Sequence, residues 1–265
     1  MIEMEKEKYL LHAMLESYRM RLLRSMSLVQ DALKVCSKPY VACSFGKDSL
    51  VVLDIVRKCH VGKLDVILVR ASEFDEWPGT EELARYYEKE YELNLHEIKT
   101  MDITDCFDLA GGFYIFPETE AQRRADYLYE KSFFDGIKKK AREIKADLAF
   151  IGLRKLESKK RNYVLNKYGL FFYSKTHCIF QCYPIADWTS RDVWAYIFKN
   201  NLRYLELYDI AEDRETARNG TMFASNLPVV GGSYVYRGQL ALVKKMYPEL
   251  YAKFAKKYPE VCLYI

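Results

Sequence analysis

One short polar loop carries residue types that suit phosphate chemistry. The loop is Ser44-Phe45-Gly46-Lys47-Asp48-Ser49, and it lies between the apolar residues 39–43 and the amphipathic segment that begins at Leu50. A strand–loop–helix junction directs backbone amides, and the partial positive charge of the helix N-terminus, at whatever lies in front of the helix. Lys47 adds a full charge, while Gly46 and the small serines leave room for close approach. The sequence therefore predicts a phosphate site here.

Asp48 is the unexpected member of this loop, because a carboxylate beside a phosphate site repels the anion. Two roles resolve the conflict: Asp48 caps the following helix, or it binds Mg²⁺. Capping is the more conservative interpretation, and the sequence leaves both open.

The loop is similar to the Ser-Gly-Gly-Lys-Asp-Ser loop of PP-loop ATP pyrophosphatases. It is not a Walker A loop, because the glycine spacing before the lysine is absent. The resemblance implies cleavage of ATP between the α and β phosphates, with Lys47 and Asp48 catalytic. It also implies that Ser44, Phe45, Gly46 and Ser49 bind the nucleotide. Because Phe45 stands where the family usually has glycine, we expect the first half of the loop to lie farther from the nucleotide.

Three further segments strengthen this resemblance. Residues 151–161 are similar to the Gly-x-Arg-x-x-Glu-Ser-x-x-Arg segment of phosphoadenylylsulfate (PAPS) reductases and the small subunit of ATP sulfurylase. Residues 184–197 resemble the Pro-Leu/Ile-x-Asp-Trp-Thr-x-x-Asp-Val-Trp segment of the same family, and residues 77–80 its Phe-Pro-Glu-Thr. Together with the loop, four segments in the right order cover roughly residues 38–200, which is far more specific than one short motif.

The resemblance also assigns roles outside the loop. Arg154 is expected to form bidentate hydrogen bonds to a phosphate or sulfate, as a third catalytic residue. Glu157 is expected to fix that guanidinium or to reach a ribose hydroxyl. Further expected nucleotide or phosphate contacts are Gly152, Ser158, Arg161 and, near adenosine, Glu73. For the basic run 159–161 a solvated loop is the plainer interpretation, and for Trp188 and Trp194 it is core packing.

The alternation of apolar strands with helical segments predicts an α/β fold. We expect a parallel twisted sheet with helices on both faces, of the adenine nucleotide α-hydrolase-like, Rossmann type. Expected strands are residues 39–44, 66–71, 94–98 and 147–152, with an antiparallel pair at 171–173 and 179–183. Expected helices are residues 48–59, 77–90 with Pro78 near the first turn, 120–144 and 193–200. The predicted divisions are an N-terminal helical segment 1–35, a nucleotide-binding domain 36–200 and a mostly helical extension 201–265, broken at Pro248.

Composition sets limits on location and cofactors. The net charge of +4 permits an anionic ligand or nucleic acid without requiring either. No apolar run approaches the roughly 20 residues of a membrane span, so we expect a cytoplasmic protein. The seven cysteines are odd in number and scattered, which favours free thiols. Cys178 and Cys182 form only one loose pair, which argues against an iron–sulfur cluster.

Three functions remain open at this stage. The first is an ATP pyrophosphatase, using ATP and Mg²⁺, that adenylylates sulfate or a nucleic-acid acceptor in sulfur transfer. Resemblance to DNA phosphorothioation subunits makes DNA and a cysteine desulfurase or other sulfur donor candidate partners, within an oligomer or complex. The second is a sulfonucleotide reductase, although Cys262 lacks the family's Glu-Cys-Gly-x-His segment. The third is a non-catalytic nucleotide- or nucleic-acid-binding subunit. Candidate DNA contacts in the C-terminal third are Tyr234, Tyr236, Arg237, Lys244 and Lys245, for which a helical cap is the plainer interpretation.

Overall fold

The computed structural model describes residues 2–70, 72–114, 117–210 and 239–264 of the chain. The strands within these ranges are β1 (Pro39–Ala42), β2 (Asp65–Arg70), β3 (Asn94–Lys99), β4 (Leu148–Ile151), β5 (Phe171–Ser174) and β6 (Ile179–Cys182). The helices are α1 (Ile2–His12), α2 (Glu16–Val35), α3 (Lys47–Cys59), α4 (Thr80–Glu90), α5 (Ile103–Ala110), α6 (Glu120–Glu143), α7 (Lys159–Tyr168), α8 (Ser190–Lys199), α9 (Leu207–Ile210), α10 (Gln239–Met246) and α11 (Pro248–Lys257). Short 3₁₀ helices cover Lys155–Glu157 and Pro259–Tyr264.

The six strands form one mostly parallel sheet in the order β3-β2-β1-β4-β6-β5. β1 pairs in parallel with β2 and with β4, so that Val41 lies opposite both Val66 and Phe150. β4 also pairs in parallel with β6, and β5 joins the edge antiparallel to β6. The predicted α/β class and the antiparallel pair at the edge are therefore confirmed.

The centre of the sheet is buried because helices cover it. Val41, Val66 and Phe150 have no exposed surface, as expected for parallel strands that read as continuous apolar runs. α3 follows β1 directly, and its residues from Ser49 to Val56 are all buried. A helix that is apolar on nearly all sides must lie inside the protein. This burial holds the start of α3 at one position relative to the strand ends.

The N-terminal helices are anchored on α8. Thr189 caps α8 by accepting a hydrogen bond from the Asp192 amide, and the Asp192 side chain accepts from the Thr189 amide in return. Asp192 also accepts from His12 Nε2 at 2.8 Å and Arg21 Nη2 at 2.7 Å. Trp188 and Trp194 are buried, so the core-packing interpretation of both tryptophans is confirmed.

The chain divides into two compact units, which are described separately. The first comprises residues 1–68, 80–96 and 140–205, and the second comprises residues 69–79, 97–139 and 206–265. In the second unit Phe107 packs against Phe113, Phe254 and Tyr258. The predicted helical break at Pro248 is confirmed, since proline is the first residue of α11. The proposed boundaries at residues 35 and 200 stay a prediction.

The candidate DNA contacts and the membrane-span prediction can be compared only with the residues that the structure describes. Tyr234, Tyr236 and Arg237, named as DNA candidates, lie outside them, whereas Lys244 and Lys245 lie in the last turn of α10. Among the residues described, no helix is both long enough and apolar enough to cross a membrane.

Candidate active site at the ends of β1 and β4

The polar loop lies at the carboxyl end of β1, and α3 begins within it at Lys47. Gly46 is the N-cap residue of α3 and has extended backbone angles, with no side chain capping the helix. Ser49 Oγ instead donates to the Gly46 carbonyl at 3.1 Å, and Ser44 is exposed beside them. The interpretation of Asp48 as the helix cap is therefore wrong. Its carboxylate turns away from the helix amides because two cations attract it more strongly.

Those two cations are Lys47 and Arg154. Lys47 Nζ lies 3.0 Å from Asp48 Oδ2, and Arg154 Nε donates to Asp48 Oδ1 at 2.6 Å. Both cationic side chains are buried. Arg154 follows β4, so the parallel pairing of β1 with β4 brings it to the same edge of the sheet as Lys47. The structure thus joins two sequence-predicted residues that are 107 positions apart in numbering (154 − 47).

Glu157 holds the arginine from the other side. Its Oε2 accepts from the Arg154 amide at 3.0 Å, and its Oε1 accepts from Arg154 Nη2 at 3.4 Å. Arg161 Nη1 also donates to Glu157 Oε2. This geometry supports the first of the two roles considered for Glu157, fixing the guanidinium. Ser158 caps α7 by accepting from the Arg161 amide at 3.1 Å, so its hydroxyl has a structural partner.

Gly152 allows the two strand ends to meet. A Cβ atom at this position would lie 2.9 Å from the backbone nitrogen and from Cα of Ser49. Such a contact is too close for any side chain, and the obstructing atoms belong to backbone at the start of a buried helix. The sequence motif suggested a phosphate contact for Gly152, whereas the structure gives it a packing role that periodicity does not reveal.

Phe45 has a left-handed backbone with φ of +53°, which is uncommon for a non-glycine residue. This angle explains why glycine suits the position in related loops. The phenyl ring is fully buried and stacks on Tyr87 with ring centroids 6.2 Å apart. The Phe45 amide donates to Cys43 Sγ at 3.4 Å, so Cys43 shapes the loop, a role that the sequence did not indicate. Ring packing offsets the cost of the strained backbone.

Glu73, predicted to lie near adenosine, belongs to the second unit. There its carboxylate is exposed and accepts from Lys253 Nζ at 2.9 Å. Its role at a nucleotide site stays a prediction.

The residues present do not fit a Mg²⁺ ion held by Asp48. Both of its oxygens already contact cationic groups, Lys47 Nζ and Arg154 Nε. Magnesium sites use carboxylates that are free to take the metal, together with water or substrate phosphates. Within the described ranges, no group of three or more His, Cys, Asp or Glu side chains is arranged to hold a metal.

Comparison with known proteins identifies the family. The model of the phosphoadenosine phosphosulfate reductase domain matches residues 38–225. The chain belongs to this family. A solved PAPS reductase from Candida auris has 21% identity and a TM-score of 0.52, covering 70% of this chain and 84% of its own, and shares the fold.

The curated relatives of this chain carry different names. Sulfate adenylyltransferase subunit 2 of Methylorubrum populi is 25% identical over 75% of this chain and 67% of its own length. Adenosine 5'-phosphosulfate reductase of Oceanobacillus iheyensis is 30% identical over 63% of this chain and 65% of its own. An uncharacterized protein of Methanocaldococcus jannaschii is 26% identical over 87% of this chain, which spans only 51% of that protein. These relatives are named for sulfur metabolism where they have a functional name.

Proposed function

We propose that this protein is an ATP pyrophosphatase that cleaves ATP between the α and β phosphates and adenylylates an acceptor in sulfur metabolism. One observation carries the proposal: two buried cations, Lys47 and Arg154, converge on the carboxylate of Asp48 beside the N-terminus of α3. Buried cations need anionic partners. A polyphosphate at this position would offer both cations additional oxygen acceptors.

The proposed reaction needs no nucleophile from the protein. An acceptor oxygen attacks the α-phosphorus, a new oxygen–phosphorus bond forms, and the bond from that phosphorus to the α–β bridging oxygen breaks. Pyrophosphate leaves with the bond electrons and is held by Lys47 and the amides at the start of α3. Arg154 stabilises charge on the transferred group, and Glu157 keeps its guanidinium oriented. Preorganised donors of this kind typically contribute about 3–4 kcal/mol each to the transition state.

The acceptor and partners belong to the same proposal. Similarity to sulfate adenylyltransferase subunit 2 supports sulfate as acceptor and assembly with another subunit. A nucleic-acid acceptor, with a cysteine desulfurase or other sulfur donor as partner, is the alternative within this reaction class. Mg²⁺ would accompany ATP as a counterion and not as a resident of the protein.

The decisive experiment uses ATP labelled at the α or γ phosphate, incubated with the protein and with sulfate or oligonucleotide. The proposal predicts AMP and pyrophosphate, with AMP transferred when the correct acceptor is present. ADP and phosphate would instead indicate cleavage at the γ phosphate and contradict it. Binding of ATP without turnover, even with acceptors and partner subunits, would favour a non-catalytic nucleotide-binding subunit.

Two variants test the site itself. Lys47→Ala and Arg154→Ala are each expected to lower pyrophosphate release by roughly 100- to 1,000-fold, because each removes one charged donor. Lys155→Ala is the matched control, since its side chain pairs with Asp187 at 2.8 Å and not with Asp48. Normal turnover in both site variants, with circular dichroism like that of the unmodified protein, would show that the site is elsewhere.

A reductase is the second candidate, favoured by the 30% identity to adenosine 5'-phosphosulfate reductase. Cys262 is exposed and accepts a weak hydrogen bond from the Tyr251 hydroxyl at 3.6 Å. A reductive role would require this thiol, or another, to attack a sulfonucleotide. Thiol-dependent sulfite release that disappears in Cys262→Ser would support the reductase, whereas unchanged turnover in that variant would remove Cys262 from the reaction.

A further inference from the structure

Charge is unevenly distributed in the segment that follows the candidate site. Residues 158–186 contain no Asp or Glu, whereas their cations are Lys159, Lys160, Arg161, Lys167 and Lys175. A solvated helix usually mixes both signs, often as i,i+4 pairs that stabilise it. Here α7 carries only positive charge, which attracts an anionic partner at long range.

The positive residues of α7 share one open face with polar and aromatic side chains. We call it the α7 face, and its members line a shallow groove: Lys159, Asn162, Tyr163, Asn166 and Lys167. The opposite side of the helix is anchored, because Leu165 is buried against Tyr183 and Ala186. The α7 face therefore points outward from a helix whose position is fixed by the core of the first unit.

Two tyrosines give this face flat apolar surfaces. Tyr163 is 64% exposed and Tyr168 is 55% exposed. Lys167 Nζ lies between them, 5.6 Å from the centre of the Tyr163 ring and 5.3 Å from that of Tyr168. Within the described parts of the chain, the ion pairs do not involve Lys159, Lys160 or Lys167. Exposed aromatic rings beside uncompensated lysines are the combination that binds unpaired bases and their phosphates.

We propose that the α7 face binds single-stranded nucleic acid, with a base stacked on Tyr163 and backbone phosphates on Lys159 and Lys167. The ten residues of α7 extend about 15 Å, enough for a few nucleotides. An acidic protein segment satisfies the lysines equally well but leaves the exposed rings without a planar partner. A duplex offers phosphates but keeps its bases stacked internally. The rings therefore favour a single strand.

The α7 face leads directly to the candidate active site. Ser158 caps α7, and Glu157 next to it links Arg161 to Arg154 through its carboxylate. A strand bound along α7 is thus directed toward the residues proposed to hold ATP. The binding inference does not rest on ATP cleavage, and its test contains no ATP.

The test measures fluorescence anisotropy of labelled oligonucleotides of about 12 nucleotides, a length within the usual single-strand site size. The full chain is titrated with single-stranded DNA, single-stranded RNA and the matching duplex. We expect single strands to bind more tightly than duplex, and a preference for DNA or RNA identifies the sugar. Tyr163→Ala should weaken single-strand binding roughly fivefold or more, whereas Tyr163→Phe should retain it, because phenylalanine still stacks.

The charge contribution is tested by salt dependence. Lys159→Ala with Lys167→Ala should reduce the slope of log affinity against log salt by about 1.4, because each phosphate contact on a single strand contributes about 0.7. The control replaces two exposed lysines of the same unit, Lys63→Ala with Lys89→Ala, and should leave affinity and slope unchanged.

Several outcomes would overturn the proposal. The unmodified protein could fail to bind single strands, or it could bind duplex more tightly than single strands. The α7 variants and the control variant could also lose the same amount of affinity. Binding of polyglutamate but not of oligonucleotides, lost in the α7 variants, would assign the face to an acidic protein partner instead.

Discussion

Two carboxylates of the first unit each contact two basic side chains, but in one cluster the carboxylate is the most buried group and in the other the basic side chains are. Asp192 at the start of α8 has a fully buried carboxylate, while its partners His12 and Arg21 are 17% and 25% exposed. At the candidate site the order is reversed. Asp48 is 14% exposed, and its partners Lys47 and Arg154 are only 4% and 7% exposed.

This difference in burial distinguishes a contact that stabilises the fold from one that suits ligand binding. Both oxygens of Asp192 are satisfied within the protein, one by His12 and Arg21 and the other by the Thr189 amide and hydroxyl. At the candidate site the Asp48 carboxylate is the more exposed group, and the cations Lys47 and Arg154 lie inside it. Of the two arrangements, this one suits exchange of the carboxylate for an external anion.

The largest expected effect comes from removing the fully buried carboxylate. Asp192→Ala should lower the free energy of unfolding by about 3–5 kcal/mol, because Arg21 loses its partner and α8 loses its capping box. Urea denaturation measures the loss, and added pyrophosphate should stabilise this variant no more than it stabilises the unmodified protein. Asp31→Ala is the control, since its exposed pair with Lys34 should contribute less than about 1 kcal/mol. A similar loss in both variants would contradict the distinction.

Removing the other carboxylate should have an effect that an anion reverses. Asp48→Asn is expected to destabilise the protein by roughly 1–3 kcal/mol, because Lys47 and Arg154 each lose a charged partner in a buried setting. Pyrophosphate at about 100 times its dissociation constant should return about 2.7 kcal/mol. Thermal unfolding with and without pyrophosphate measures this. If pyrophosphate stabilises Asp192→Ala more than the unmodified protein and does nothing for Asp48→Asn, the two sites have been assigned the wrong way round.

A third change tests the close approach of the strand ends. Gly152→Ala should cost about 1–3 kcal/mol, because the new methyl group meets the Ser49 backbone at 2.9 Å. Gly136→Ala is the matched control. There the nearest atom is the Thr100 methyl group at 3.0 Å, and α6 gains helix propensity from alanine. Chemical denaturation of both variants should therefore separate them, and equal stability would argue against a tight junction at Gly152.

The smallest expected effect is on the pH dependence of stability. It distinguishes a carboxyl group whose pKa is set by its hydrogen-bond partners from one whose pKa is set by burial. Burial acts to raise the pKa of Asp192, but hydrogen bonds from Arg21, His12 and Thr189 outweigh it and lower that pKa. In the second unit, burial outweighs the hydrogen bond from Tyr129 and raises the pKa of Asp75 to about 6. The two groups should therefore act in opposite directions on stability as pH changes.

The signs follow from proton binding. Folded Asp75 keeps a proton between its usual pKa of 3.8 and about 6, so its contribution is full below 3.8 and is lost as pH rises through about 6. The contribution of Asp192 is present above 3.8 and is lost as pH falls below that value. Asp75→Asn should remove a decline of about 1–2 kcal/mol in unfolding free energy between pH 5 and 7. An unchanged decline in that variant would show that another group titrates.

Local pattern was a good guide to the elements. Strand and helix positions such as 48–59, 66–71 and 120–144 were predicted within one residue at each end, because buried parallel strands and amphipathic helices have distinct periodicities. The capping role considered for Asp48 was wrong, while its catalytic role stays a prediction. A residue in the first turn of a helix resembles a cap in sequence, and nothing in the local pattern shows that Arg154 lies within hydrogen-bonding distance.

The amino-acid sequence alone determined the α/β class, the family and the loop that carries Lys47, since these depend on short-range pattern and on motifs. Only the tertiary structure decided which charges meet. Parallel pairing of β1 with β4 brings Arg154 and Glu157 to the loop, and the absence of a side chain at Gly152 lets the backbones touch. Electrostatic and packing energies depend on distances of a few ångströms between residues far apart in the chain, and chain folding alone sets those distances.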